Sequence, residues 1–261
     1  MGHPRRAILT GGILAILFAM HSPPAIASEP TTKETSPRYE FRDRHDPNGI
    51  GKFYMGREIA HVMGHRGAGW LDRPERDKEE APSKLLNALK LENGDVVADI
   101  GAGSGFYSFR IAPLVGPKGK VLAVDIQPEM LEIIRRRMKR RGIENIELVQ
   151  GTASDPKLEP NSVDLILMVD VYHEFSEPWE MANAMVRALK PGGRLVFVEF
   201  RLEDPDVPIK LVHKMSEKQV LKEMSVQPLE WVGTLDILPR QHIVIFRKSG
   251  NQSQEKDESK P

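Results

Sequence analysis

One apolar run, Leu165-Ile166-Leu167-Met168-Val169, leads directly into Asp170, Tyr172, His173 and Glu174. An imidazole beside a carboxylate and a phenol has the composition of a general-base site, because imidazole exchanges a proton near neutral pH and its neighbours can orient it. His173 is the leading base, with Tyr172 or Glu174 orienting it or the acceptor. Earlier in the chain, Val96-Val97-Ala98 runs into Asp99, and then Gly101, Ala102, Gly103 and Gly105 put glycine at every second position. A strand that turns on glycines into a helix start leaves backbone N–H groups free for a polar or anionic part of a ligand. Such spacing alone is a weak pointer. Asp125 strengthens it: it closes the next apolar run, twenty residues past Gly105. An acid there reaches the vicinal hydroxyls of a ribose. The ligand is therefore nucleoside-like. A dinucleotide is disfavoured, because Phe106 stands where its third glycine belongs and Asp99 would repel pyrophosphate. Asp99 suits an ammonium or another cationic centre instead.

The elements that must position these groups alternate regularly. Strands are expected at Val96–Ile100, Val121–Ile126, Ile146–Gln150, Asp164–Val169 and Arg194–Phe200, with helices after the glycine loop, at Pro128–Arg141, and up to Leu189. Buried apolar strands separated by helices call for a parallel sheet covered on both faces. Ser216 and Gln219 form a capping box for a further helix, and Leu229–Leu235 with Gln241–Phe246 read as an antiparallel pair. The C-terminal strand ends are where ligands sit. That edge receives Asp170, Tyr172, His173 and Glu174.

Ahead of the sheet, Met55, Ile59, Val62 and Met63 share one helical face, so residues 49–82 read as a helical lid over the cofactor end. Arg73–Glu80 reads as a solvated charged stretch, and residues 83–247 as the main domain. Met1–Ala27 has the pattern of a signal peptide: Arg5 and Arg6, an apolar run from Ala7 to Met20, and Ala25-Ile26-Ala27 before Ser28. An exported protein without a stable membrane anchor is the expectation, with an uncleaved anchor as the alternative. Residues 28–48 read as a flexible linker and 248–261 as a disordered tail. The chain has 261 residues, 37 basic and 37 acidic, and no cysteine. Neutral charge gives no pull toward nucleic acid. The run Arg135–Arg141 reads as a helix end, where cations complement the dipole. No metal is expected. His61 and His65 have chelating spacing, yet no third donor accompanies them.

The stretch Asp99–Gly105 resembles the first motif of the class I S-adenosylmethionine-dependent methyltransferases. The resemblance continues through Ala123-Val124-Asp125, the end of the third strand near Gly151, Ser162–Leu167 and Leu189-Lys190-Pro191-Gly192-Gly193-Arg194-Leu195. It implies a Rossmann-like α/β fold: a mostly parallel seven-stranded sheet with helices on both faces and an antiparallel C-terminal strand. It also implies S-adenosyl-L-methionine as cofactor, with Gly101, Gly103 and Gly105 against its methionine part and Asp125 on its ribose. Ala102, Ile126 and Asp170 join the cofactor cleft by placement, and the adenine contact falls to Ser154 or Asp155. The chain is also similar to a narrower group of exported methyltransferase-like proteins with no assigned substrate, through Tyr54–Ala60, Asp170–Phe175, Val207–Lys210 and His213–Ser216. The acceptor, expected to be a small molecule, stays open. A non-catalytic nucleoside-binding protein and an NAD-dependent oxidoreductase are the rival readings.

Overall fold

In this computed structural model, residues 1–2 and 38–250 are described. The signal-peptide reading, the first part of the linker and the tail from residue 251 lie outside them. Seven strands form the main sheet: β4 (Val96–Ile100), β5 (Lys120–Asp125), β6 (Ile146–Gln150), β7 (Val163–Val169), β8 (Leu189–Phe200), β9 (Leu229–Leu235) and β10 (Gln241–Lys248). Their order across the sheet is β6-β5-β4-β7-β8-β10-β9. The first five are parallel, and β10 is antiparallel to both β8 and β9. This is the sheet the sequence calls for, with Lys248 as the last residue of β10 rather than the first of a tail.

Side-chain alternation splits the strands between two cores, because successive residues of a strand face opposite sides. Val97, Leu165, Val196 and Ile243 meet α3 (Pro82–Leu89), α4 (Ser108–Val115) and α5 (Pro128–Arg141) on one face. Ala98, Ile166, Leu195 and Val244 meet α6 (Pro178–Ala188) and α7 (Glu217–Met224) on the other. Each fully buried Leu, Ile or Val contributes roughly 1.5–3 kcal/mol, so both faces are firmly held and the loops at the strand ends inherit fixed positions. The Ser216 hydroxyl accepts the Gln219 N–H at the start of α7. The basic run ends α5 as expected: Arg135 and Arg136 pair with Glu132, and Arg137 with Asp72.

The N-terminal segment departs from the helical expectation. It forms a three-stranded antiparallel sheet of β1 (Tyr39–Phe41), β2 (Gly49–Tyr54) and β3 (Arg57–Ala60). β1 and the turn after it occupy the last part of the segment read as a linker. The apolar positions fit a helical period, but Gly51 and Gly56 within one short run each cost a helix about 1 kcal/mol. Met55 and Gly56 both have positive φ, 48° and 91°, which is the twist of a two-residue hairpin turn. Only after the hairpin do short helices follow, α1 (Ala68–Leu71) and α2 (Arg76–Glu80). The small sheet is tied to the main domain by charge. Arg57 grips Glu223 with Nε at 2.7 Å and Nη2 at 3.0 Å. Lys52 Nζ donates to Glu177 at 2.7 Å.

Candidate functional site

A cavity of about 620 Å³ opens at the C-terminal ends of β4, β5, β7 and β8, within the roughly 300–1,000 Å³ range of small-molecule sites. Its floor is made by the turn after β4. Gly101 has φ +68°, and a Cβ there would lie 2.4 Å from Val171 Cγ2. Glycine at this position therefore lets two strand-end loops touch. The Gly103 N–H donates to Asp125 Oδ2 at 2.9 Å, and the Gln127 N–H donates to Asp125 Oδ1 at 2.9 Å. Burial pushes the Asp125 carboxyl above the usual carboxylate range, against the pull of these backbone donors. A carboxylate offers roughly four lone-pair positions, so acceptor capacity remains for a ligand. Asp125, Ile126, Gly101 and Gly103 all line the cavity.

Other expected residues are placed differently. Asp99 does not reach the cavity. It is buried beneath the glycine turn and accepts the Ser108 hydroxyl, fastening the end of β4 to the start of α4. Ala102 packs in the core, and a Cβ on Gly105 would lie 2.8 Å from Phe109 Cε2, so both serve packing of strand on helix. The wall near β6 is Gly151, Thr152 and Ala153. Ser154 and Asp155 stand outside it, because the Asp155 carboxylate accepts the Lys157 N–H and Nζ of its own exposed loop, at 2.8 and 2.9 Å. Tyr172 also turns away. Its ring packs edge-on against Phe197 at 4.9 Å, fully buried in the core.

Asp170, His173 and Glu174 do face the cavity. Asp170 is held at φ 51°, and its Oδ2 accepts from Gln241 at 2.7 Å. Its other oxygen is buried without a partner among the described residues. Burial, reinforced by Glu80 and Glu199, pushes this carboxyl well up. Nearby, Arg76 gives Nε to Glu80 at 2.6 Å and Nη1 to the Leu71 carbonyl at 2.9 Å, which leaves Nη2. Arg76 and Glu80 are therefore buried, not part of a solvated stretch.

His173 is almost fully buried. Its Nδ1–H donates to Glu199 Oε2 at 2.6 Å, and the Tyr172 N–H donates to Glu199 Oε1 at 3.0 Å. Burial opposes charge on the imidazole, but the Glu199 carboxylate outweighs it and raises the pKa above the usual histidine value. His173 Nε2 lies 3.1 Å from His213 Nδ1. Burial and the neighbouring His173 bring His213 down to about 4. Burial raises Glu174 to about 7, and the Met63 N–H contacts its two oxygens at 3.2 and 3.3 Å. Arg57 Nη1 donates to the His173 carbonyl at 3.1 Å, so the small sheet braces this turn. His61 lines the rim, but His65 is engaged elsewhere, 3.9 Å from Glu129; residues 61–64 are irregular and His65 only begins a 3₁₀ turn, so the four-residue spacing has no α-helical meaning.

Residues 91–256 match the family described as a methyltransferase domain, which is more than half of the chain. The chain belongs to that family. A solved structure of an S-adenosylmethionine-dependent methyltransferase from Aquifex aeolicus aligns with a TM-score of 0.68 at 27% identity, over 72% of this chain and 100% of that one. Among curated relatives, the ubiquinone/menaquinone biosynthesis C-methyltransferase UbiE of Pseudomonas putida (strain GB-1) is 36% identical over 111 residues, 42% of this chain and 43% of its own length. The demethylmenaquinone methyltransferase of Lactococcus lactis subsp. lactis (strain IL1403) is 33% identical over 127 residues, 49% of this chain and 50% of its own. The match thus spans about half the length of these relatives. Fold and cofactor class are those of the class I S-adenosylmethionine-dependent methyltransferases.

The residues present in this methyltransferase domain fit S-adenosylmethionine. Asp125 has lone pairs left for a ribose diol. The unpartnered Asp170 oxygen would accept an ammonium, and Arg76 Nη2 would donate to a carboxylate. Together these two groups suit the zwitterionic end of an amino acid. Sequence reasoning missed Arg76 and Glu199. The second carried a usable signal, an acid interrupting the apolar run Leu195–Phe200.

Proposed function

We propose that this methyltransferase moves a methyl group from S-adenosylmethionine to a small-molecule acceptor bound at the His173 end of the cavity. The observation that carries the reading is continuity. One cavity runs from Asp125 and Gly101, past Asp170, to His173, Glu174 and His213. Asp125 grips the ribose, Asp170 and Arg76 hold the amino-acid end, and Gly151–Ala153 border the base. When bound, the cofactor supplies a methyl on a positively charged sulfur, which keeps the electron pair of the broken S–C bond as the acceptor atom forms its own. The protein aligns the two partners and excludes water. His173 takes the acceptor's proton at Nε2, and Glu199 behind it stabilises the imidazolium. Phe175, Pro208 and Ile209 offer apolar wall to the acceptor's body. Relatives named for ubiquinone and menaquinone biosynthesis support an acceptor of small-molecule size.

Calorimetry with S-adenosylmethionine, S-adenosylhomocysteine and NAD, followed by detection of S-adenosylhomocysteine formed with a panel of phenols and quinols, tests this. The expected result is binding of the first two ligands, its loss in Asp125→Ala, and turnover with a hydroxyl-bearing acceptor. Binding of NAD alone would overturn the reading; cofactor binding with no turnover on the panel would favour a binding protein. Export is part of the proposal, on the strength of the Arg5–Ala27 pattern. Cell fractionation should recover a chain that begins at Ser28 outside the cytoplasm; an intact N-terminus in the cytoplasm would discard export.

A further inference from the structure

Three donor atoms converge at the acceptor end. His173 Nε2 and His213 Nδ1 are 3.1 Å apart. Glu174 Oε1 lies 4.0 Å from the first and 3.8 Å from the second. We infer that this triangle is a binding site for a divalent transition-metal cation, zinc by its donor set; the ion's catalytic use rests on the methyl-transfer reading above.

The spacing is close to what a metal demands. Two imidazole nitrogens at about 2.0–2.1 Å from a tetrahedral ion stand roughly 3.3 Å apart. The histidine pair is near that distance already, and the carboxylate has to close by roughly half an ångström. The surroundings point the same way. Glu199 holds Nδ1 of His173 at 2.6 Å and is itself held by the Tyr172 N–H. A carboxylate on the far nitrogen fixes the tautomer and aims the Nε2 lone pair at an ion. A hydrogen bond between two imidazoles would explain their approach without a third donor. It would leave the Glu174 carboxyl, mostly buried beside both rings, accepting only the Met63 N–H among the described residues. A cation accounts for all three.

Two nitrogens and one oxygen, with no thiolate, suit zinc or cobalt rather than magnesium or calcium, which take oxygen ligands. Three protein ligands facing a cavity leave a position open, as catalytic zinc sites do. That position would take the oxygen of a hydroxyl-bearing acceptor, whose proton leaves to bulk water on binding. In the loaded protein His173 is then a ligand and no longer the proton acceptor.

The test is titration of chelator-stripped, full-length protein with Co²⁺, without cofactor or acceptor. One ion per chain is expected, with the visible absorption of a four- or five-coordinate nitrogen–oxygen site, and Zn²⁺ should displace it. His213 is partly exposed on a short turn, so His213→Ala removes a ligand without hollowing the core. This variant and Glu174→Gln should each weaken binding by about 100-fold or more, and Glu199→Gln by about 10- to 100-fold. The double variant His61→Ala/His65→Ala should keep full affinity. No Co²⁺ binding by folded protein, or undiminished binding by His213→Ala, overturns the site. That failure would leave methyl transfer with His173 as base standing. Failure to bind S-adenosylmethionine would overturn the methyl-transfer reading and leave the metal site untouched.

Discussion

Asp99 makes a quantitative prediction. Its carboxylate is buried under the glycine turn, and burial raises its pKa from the ordinary 3.8 to about 6 despite the hydrogen bonds from Ser108. Arg76 pulls it down and Asp125 pushes it up. The folded protein therefore keeps this proton to higher pH than the unfolded chain does. Between about pH 4 and about pH 6 the native state binds more protons, and stability contributed by Asp99 is lost as pH rises through the window. The rise from 3.8 to about 6 is worth on the order of 3 kcal/mol. Asp99→Asn removes the titration and keeps an oxygen for the Ser108 hydroxyl. An unpaired amide donor there would cost about 1–3 kcal/mol, a penalty that does not vary with pH. Urea denaturation of both proteins from about pH 4 to about pH 7.5 isolates the variable part. The variant should gain on the wild type by about 3 kcal/mol across that range. A constant difference, or a variant that loses ground as pH rises, would refute burial as the dominant influence on Asp99.

Arg57→Met should cost about 3–5 kcal/mol in urea melts, because it leaves Glu223 charged and fully buried, and the double change Arg57→Met/Glu223→Met should recover most of that. Equal losses in the single and double variants would place the effect in packing alone. Gly101→Ala should lower both stability and cofactor affinity, since its new Cβ meets Val171 at 2.4 Å; Gly142→Ala, at φ +64° in open space, should show only backbone strain of about 1 kcal/mol. Denaturation and calorimetry on the two variants check this. Arg76→Gln should weaken S-adenosylmethionine binding by about 10- to 100-fold, the worth of a charge-assisted hydrogen bond. Methylthioadenosine, which lacks the amino-acid end, should bind the variant as well as it binds the wild type, and a parallel loss would remove Arg76 from that role.

The main sheet was legible because its central parallel strands are buried on both faces and so appear as largely apolar runs, while the edge strand β6, Ile146-Glu147-Leu148-Val149-Gln150, was placed by the alternation of strand and helix around it. Asp125 was legible for a related reason: the register of β5 against β4 places the acid one strand over from the glycine turn. The small sheet was not. Ile59 and Met63 lie four apart, which satisfies a helix, and only the paired positive φ at Met55 and Gly56 reveals the hairpin. Arg76 was hidden in the same way. In sequence it sits in a charged stretch with nothing to mark it as buried, and its burial comes from Glu80, Phe106 and the Leu71 carbonyl folding around it.

Tyr172 and His173 show where sequence reasoning must stop at this site. They are chain neighbours of equally suitable chemistry, yet one ring enters the core and the other reaches the cavity. Pattern cannot choose between them, because a short turn has no fixed period. The choice is made by Glu199, whose two oxygens take the Tyr172 backbone N–H and the His173 ring nitrogen. Arg57 then clamps the His173 carbonyl from the small sheet. A residue at the end of β8 and another in a hairpin more than a hundred positions upstream therefore decide which side chain of the turn faces the cavity. Glu199→Gln should accordingly impair His173 even where cofactor binding, which rests on Asp125 and the glycine turn, is unchanged. Methyl-transfer rates alongside S-adenosylmethionine affinities would show this split, and a joint loss of both would mean that Glu199 supports the whole cleft instead of one imidazole.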